Sequence, residues 1–129
     1  MARLLLDTHS LLWWLSGDKH LSVKARNAIA DATNEVFVSA ASTWEISTKI
    51  RIGKLTAPAL MGGGVTRAIA AQGFDMLAIT ADHGERAGAL PGDHRDPFDR
   101  MLIAQAQSEA MAIVSNEKVF DSYGITRIW

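Results

Sequence analysis

The chain has 129 residues, which suits one domain able to bury roughly two-thirds of its unfolded surface without staples. It contains no cysteine, which excludes disulfides, thiolate metal sites and cysteine nucleophiles. Lys and Arg number 13 against 14 Asp and Glu, a net charge of -1, so no global basic field advertises nucleic acid and any grip on it must be local or use a metal.

Leu4-Leu5-Leu6 is a continuous apolar run that reads as a strand buried on both faces, with Asp7-Thr8-His9 at its end. In open parallel α/β sheets, ligands bind at that edge. Taken alone, Asp7 reads better as part of a helix start, since Thr8 or Ser10 can cap a helix through His9 to Leu15 and an aspartate can do the same. The apolar stretch from Leu4 to Leu15 is interrupted by Asp7 to Ser10 and is too short to span a membrane. No small-residue cleavage site follows, so a soluble cytoplasmic protein is expected. The first helix ends near Ser16-Gly17, and its Trp13 and Trp14 read as core or interface. Ser22 is placed as the cap of a solvated amphipathic helix from Val23 to Ala32.

Glu35 to Ser39 is the second strand. A helix from Ala41 to Ile52 follows, with Ser42 or Thr43 as cap and Gly53 as stop. This places Glu45 in the first helical turn, on the same edge as Asp7. An acid there complements the helix dipole, and Glu45–Lys49 is an i,i+4 pair worth about 0.2–0.5 kcal/mol. A structural role therefore accounts for Glu45 somewhat better than a chemical one. Lys54 to Pro58 is a connector, Gly62-Gly63-Gly64 a flexible-looking tract, and Val65 to Ala71 a short helix. Phe74 to Ile79 is a weaker third strand, after which Thr80 caps a helix from Ala81 to Leu90. Its internal Gly84 and Gly88 each cost roughly 0.5–1 kcal/mol relative to alanine, which close packing against a neighbour would explain. His83 reads as a surface residue.

Ionisable groups crowd the segment from Asp93 to Arg100. Asp96-Pro97 is an N-cap followed by proline at the first helical position, and Asp99 completes the aspartate version of a capping box. Both acids can simply start a helix. They also lie one turn apart and can face the same way. Met111 to Val114 is another apolar strand, with Ser115-Asn116-Glu117 at its end. Lys118 to Ser122 makes a turn or two, Gly124 stops it, and Thr126 to Trp129 is a last short strand. The order β-α-α-β-α-α-β-α-α-β-α-β argues for a parallel sheet with helices on both faces.

Asp7, Glu45, Asp96 with Asp99, and Ser115-Asn116-Glu117 then share one edge. Two carboxylates about 4 Å apart repel by roughly 4 kcal/mol at an effective dielectric near 20. Capping and helical pairing, worth tenths of a kcal/mol to about one, do not offset that. If the acids converge, they need a hard divalent cation, Mg²⁺ or Mn²⁺. Such an ion with open positions suits phosphodiester chemistry. Thr8 and Ser115 can orient ligands or water. Lys49, Arg51, Lys54, Arg95 and Arg100 lie near the acidic edge and can hold phosphates, although for any single one an ordinary solvated surface accounts for it better.

With these motifs in order, the chain resembles PIN-domain nucleases, and within them the VapC-like toxins of bacterial toxin–antitoxin pairs. The resemblance covers nearly the whole chain. It is carried by Leu4 to His9, by Ser39 to Glu45, by Gly53-Lys54-Leu55, by His94 to Arg100 with Leu102 to Ala106, and by Tyr123-Gly124. Arg95-Asp96-Pro97-Phe98-Asp99-Arg100 is the most specific of them. The resemblance implies a single domain over residues 1–129, a three-layer sandwich whose mostly parallel sheet of four to five strands is flanked by helices. It implies a Mg²⁺- or Mn²⁺-dependent endoribonuclease with its acidic site on Asp7, Glu45 and Asp99. The family often has a fourth acid in a Thr-x-Asp, where this chain reads Ser115-Asn116-Glu117 and Glu117 is the candidate. Asp96 is a cap first and an accessory acid second, with Thr8, Ser115 and Asn116 as accessories, and Lys49, Arg95 and Arg100 are candidate substrate contacts. Such toxins dimerise and are silenced by a small antitoxin, for which exposed-looking Trp13, Trp14 and Trp129 leave room. A phosphatase of the haloacid-dehalogenase kind, with Asp7 as nucleophile, ranks well below, because His9 stands where that chemistry wants a second aspartate. A PIN module that binds RNA or a partner without cutting is the alternative.

Overall fold

In a computed structural model describing residues 1–60 and 62–129, five parallel strands form one sheet in the order β3-β2-β1-β4-β5. The strands are β1 (Arg3–Leu6), β2 (Glu35–Ser39), β3 (Asp75–Leu77), β4 (Ala112–Val114) and β5 (Arg127–Ile128). The helices are α1 (Thr8–Ser16), α2 (Val23–Ala30), α3 (Ala40–Arg51), α4 (Gly64–Ala71), α5 (Ala81–Ala89) and α6 (Pro97–Ser108). Short 3-10 turns occupy Pro58–Leu60 and Lys118–Tyr123.

The leucine run sits at the centre of the sheet because both faces there are covered. Leu4, Leu5 and Leu6 are each 0% exposed. Side chains alternate along a strand, so Leu4 and Leu6 join Leu11, Ala25, Ile29, Ile46 and Ile69 from α1 to α4 in one core cluster. Leu5 points the other way, into a second cluster with Leu102, Ile103 and Ala106 of α6 and with Ile113 and Phe120. The result is a three-layer α/β sandwich. Among the described residues no helix is long and apolar enough to cross a membrane.

The chain leaves β1 for β2 and β3 on one side, then crosses back to β4 and β5 on the other. The strand order therefore reverses next to β1, at the ends of β1 and β4, and a crevice at such a switch point is where open α/β sheets take ligands.

Local signals placed most boundaries. Ser22 caps α2 and accepts from Ala25 N, Thr80 caps α5, and Gly17 and Gly124 close their segments in the left-handed region. Three expectations are corrected. Ser39, not Ser42 or Thr43, caps α3, so the helix starts at Ala40 and Glu45 lies beyond its first turn, out of reach of the dipole explanation. His83 is 1% exposed, because its ring closes the capping box at Thr80 and reaches Glu109 on the facing helix end. Gly84 and Gly88 are not tight contacts, since a Cβ added at either meets nothing within 4 Å.

Candidate active site

The candidate residues collect at the C-terminal ends of the strands. Asp7 follows β1 directly, and its backbone N–H donates to Val114 O across 3.2 Å, tying the central strand to β4 at the switch point. Its carboxylate caps α1 by accepting from Ser10 N at 2.8 Å, so the cap is Asp7 itself. The side chain is 4% exposed. Burial pushes the Asp7 carboxyl up from the ordinary range, and hydrogen bonds from Ser115 and Ser10 oppose the rise. Ser115 is fully buried and its Oγ also accepts from Glu117 N at 3.0 Å.

Glu45 comes to this edge from α3 and is 7% exposed. Thr8 Oγ1 lies 2.6 Å from Glu45 Oε1 and 3.0 Å from Ser42 Oγ. A hydroxyl has one proton, so Thr8 donates to the carboxylate and accepts from Ser42. Lys49 Nζ is 2.6 Å from the other oxygen, Oε2. The i,i+4 pair is thus present, but Glu45 is buried, and the pair neutralises a desolvated charge rather than decorating a surface. Glu45 holds the Lys49 ammonium above its usual range, with smaller help from Asp96 and Asp99, which places the start of α6 within electrostatic reach of α3.

Asp96 caps α6 and accepts from Phe98 N and Asp99 N at 2.9 and 3.0 Å. The other half of the expected capping box does not form. The Asp99 side chain turns instead to His94, whose Nε2 is 2.9 Å from Oδ2. Burial raises the Asp99 carboxyl to about 6, the negative charges of Asp96 and Glu117 add to the rise, and His94 opposes it. Glu117 therefore stands near enough to be felt by Asp99. It is half-buried, with His9 Nδ1 3.9 Å away. Asn116 points into solvent on the same loop.

Arg100, expected to face phosphates, instead fastens a loop. Its Nε, Nη1 and Nη2 donate to the carbonyls of Ala87, His94 and Leu90. This holds the segment that carries His94. Arg95 is exposed and Lys49 half-buried. Sequence reasoning did not single out His94 as the partner of Asp99, nor Ser10 and Ser42. The crowding of ionisable residues before Pro97 was the available signal for His94; two serines in helix starts offered none.

The donor set fits a hard divalent cation: carboxylate oxygens, two of them on desolvated acids whose raised pKa a positive charge would reverse. As placed, however, no three of the Asp, Glu and His side chains among the described residues group closely enough to hold an ion. Each carboxylate has a protein partner instead: Ser10 for Asp7, Thr8 and Lys49 for Glu45, His94 for Asp99. A cavity of about 660 Å³ lies at the opposite ends of the strands, lined by Arg3, Ala110 and Thr126, and none of the candidate residues borders it.

A family model described as PIN domain matches residues 4–125. No curated protein matches the chain. Similar solved structures include VapBC2 from Rickettsia felis bound to a DNA fragment from its promoter, at 12% identity and a TM-score of 0.70 over 97% of this chain and 96% of that one. VapC20 of Mycobacterium tuberculosis, a sarcin–ricin loop cleaving toxin, is 16% identical with a TM-score of 0.64 over 95% of this chain and 96% of that one. A toxin–antitoxin complex from Klebsiella pneumoniae is 20% identical with a TM-score of 0.60 over 88% of this chain and 86% of that one. At these identities the likeness is one of fold.

Proposed function

This chain belongs to the PIN domain family, and on that footing we propose that it is a metal-dependent endoribonuclease, the toxin of a toxin–antitoxin pair. The observation that supports the reading is that Asp7, Glu45 and Asp99 lie on the same edge of the sheet, beside the switch point, with Asp7 and Asp99 held above their ordinary pKa by burial. Asp7, Glu45 and Asp99, with Glu117 as a fourth donor, would hold Mg²⁺ or Mn²⁺, which would supply Lewis-acid stabilisation of charge on the phosphoryl oxygens and lower the pKa of a bound water. Thr8 orients Glu45, and Ser10 and Ser115 orient Asp7. His94 orients Asp99 while Arg100 fixes the loop behind it. Asp96 remains a cap whose charge adds to the local field. Lys49 leaves Glu45 to meet a substrate phosphate, and exposed Arg95 is the second phosphate contact.

The partner reading is a small antitoxin. It is supported by the toxin–antitoxin complexes among the structures of similar fold. We place the protein in the cytoplasm with its RNA, as a single domain over residues 1–129 that forms a homodimer. Trp13 and Trp129, which touch one another and are half-buried, leave apolar surface for either contact.

The test is RNA cleavage by purified protein with Mg²⁺ or Mn²⁺ and with EDTA, beside Asp99→Asn. Loss of cleavage in EDTA and in the folded variant is the expected result; unaltered cleavage by the variant removes the site assignment. One observation favours a second reading, a PIN module that binds RNA or a partner without cutting. Glu45 and Asp99 already have side-chain partners, Lys49 and His94. Absence of both cleavage and Mn²⁺ binding would select it.

A further inference from the structure

Trp44 is 63% exposed although it stands between Thr43 and Glu45 on α3, beside the candidate acids. A single exposed apolar residue needs no explanation. This one has a fixed setting. Its ring meets Phe98 edge-on, with centroids 5.0 Å apart at 71°. Phe98 immediately precedes Asp99, so one aromatic pair joins the two helices that carry Glu45 and Asp99. An edge-to-face contact engages one part of the indole and leaves the rest of its surface open.

The stripe of α3 that carries Trp44 continues through Thr48 and Arg51, at i+4 and i+7. Arg51 is exposed and lies about 10 Å along the helix axis from Trp44. A flat apolar surface followed by a hydroxyl and a guanidinium is the chemistry that holds a single strand, with the base on the ring and the backbone on the cation. A duplex cannot use it in the same way, because its base faces are stacked on each other and its deep groove is closed to side chains.

We propose that Trp44, braced by Phe98, is a stacking platform for an unpaired nucleobase next to the scissile phosphate, with Arg51 holding the backbone farther along. The inference rests on the ribonuclease reading and assigns two side chains, Trp44 and Arg51, that would hold the unpaired stretch at the cut. It concerns binding, which is measured apart from cleavage.

The experiment uses the full chain in EDTA and a short labelled single-stranded oligoribonucleotide of mixed sequence, with its perfect duplex as the comparison, read by fluorescence anisotropy. Wild type binds the single strand more tightly than the duplex. Trp44→Leu weakens single-strand binding about tenfold or more and leaves duplex binding unaltered, while Trp44→Phe retains most of the affinity. Arg51→Ala weakens single-strand binding and flattens its salt dependence. Should Trp44→Leu not fold, quenching by RNA of the fluorescence that separates wild type from Trp44→Phe reads the same contact.

Equal single-strand affinity in wild type and Trp44→Leu overturns the platform, as does a preference for duplex or no binding by wild type. If Trp44→Leu instead changes the oligomeric state by light scattering and leaves RNA binding alone, the ring belongs to a protein contact and the proposal is wrong. Asp99→Asn separates the two readings. Cleavage lost in Asp99→Asn while Trp44→Leu binds normally removes only the platform. Cleavage unaffected by Asp99→Asn while Trp44→Leu loses the single strand removes the metal site and leaves an RNA-binding surface.

Discussion

Thr8 and Glu45, 37 residues apart in the chain, are joined by a buried 2.6 Å hydrogen bond that links the start of α1 to the middle of α3. The bond sets where Glu45 can point, and through it the position of the second candidate acid relative to Asp7. Charge-assisted bonds of this kind contribute about 1.5–3 kcal/mol. Thr8→Val, which keeps the shape and removes the donor, is expected to lower stability by that order and to reduce any metal-dependent activity. Thr8→Ser should restore both. Urea denaturation of the two variants in EDTA checks this, and a Thr8→Val protein as stable as wild type counts against the bond.

On the proposed reading, Lys49 and a divalent cation would compete for the Glu45 carboxylate. Lys49→Met leaves Glu45 buried without its counter-charge, so the metal-free protein should lose about 1–3 kcal/mol of stability. The same substitution should tighten Mn²⁺ binding, because no ammonium has to be displaced. Calorimetric titration with Mn²⁺ beside a melting curve in EDTA tests both halves; weaker Mn²⁺ binding in the variant would place Lys49 with the metal rather than against it.

Asp99 has the pH dependence of an acid whose folded pKa, about 6, lies above its ordinary value of 3.8. Such a group disfavours the folded state wherever it is ionised. The cost is complete above about pH 6, shrinks as pH falls through the folded pKa, and is gone below the unfolded one. Asp99→Asn should therefore stabilise the metal-free protein at pH 7 by on the order of 1–2 kcal/mol, with no gain near pH 4. Denaturation of both proteins at the two pH values, in EDTA, decides it. An Asp99→Asn protein less stable at pH 7 would mean that the His94 contact outweighs desolvation.

Asp7 serves as a helix cap whatever its chemistry. Asn caps nearly as well as Asp, so Asp7→Asn should fold normally and lose metal binding and cleavage. Asp7→Ala should lose the cap too, at a cost of about 0.5–2 kcal/mol. Circular dichroism melts of the pair separate the two roles, and full cleavage by Asp7→Asn would deny Asp7 a part in the chemistry.

Gly84 lies inside α5 and Gly88 in its last turn, both with open space where a Cβ would go. Neither has a positive φ. Gly84→Ala and Gly88→Ala should each raise stability by roughly 0.5–1 kcal/mol. A fall in melting temperature would show that the helix needs these glycines for a contact with something outside the chain.

Much of this architecture is legible in the sequence because its causes are local. The leucine run of β1, the caps at Ser22, Thr80 and Asp96, the proline at the first position of α6 and the left-handed glycines 17 and 124 act within a few residues. The alternation of strands and helices follows from them, and with it the one edge on which Asp7, Glu45, Asp99 and Glu117 fall. What each polar side chain does there was decided by tertiary structure. A charged or polar group pairs with whatever the folded chain brings beside it, which residue type alone does not fix. The segment before α6 folds back so that Asp99 meets His94, five residues before it, and Arg100 takes three backbone carbonyls between Ala87 and His94 instead of facing outward. His83 was buried against Glu109, 26 residues away, and Glu45 gained a buried bond from Thr8 across the α1–α3 contact. Residue types and spacing determined which acids reach the edge; packing of the helices on both faces of the sheet determined their partners, because only burial makes an unpaired charge costly enough to dictate a contact.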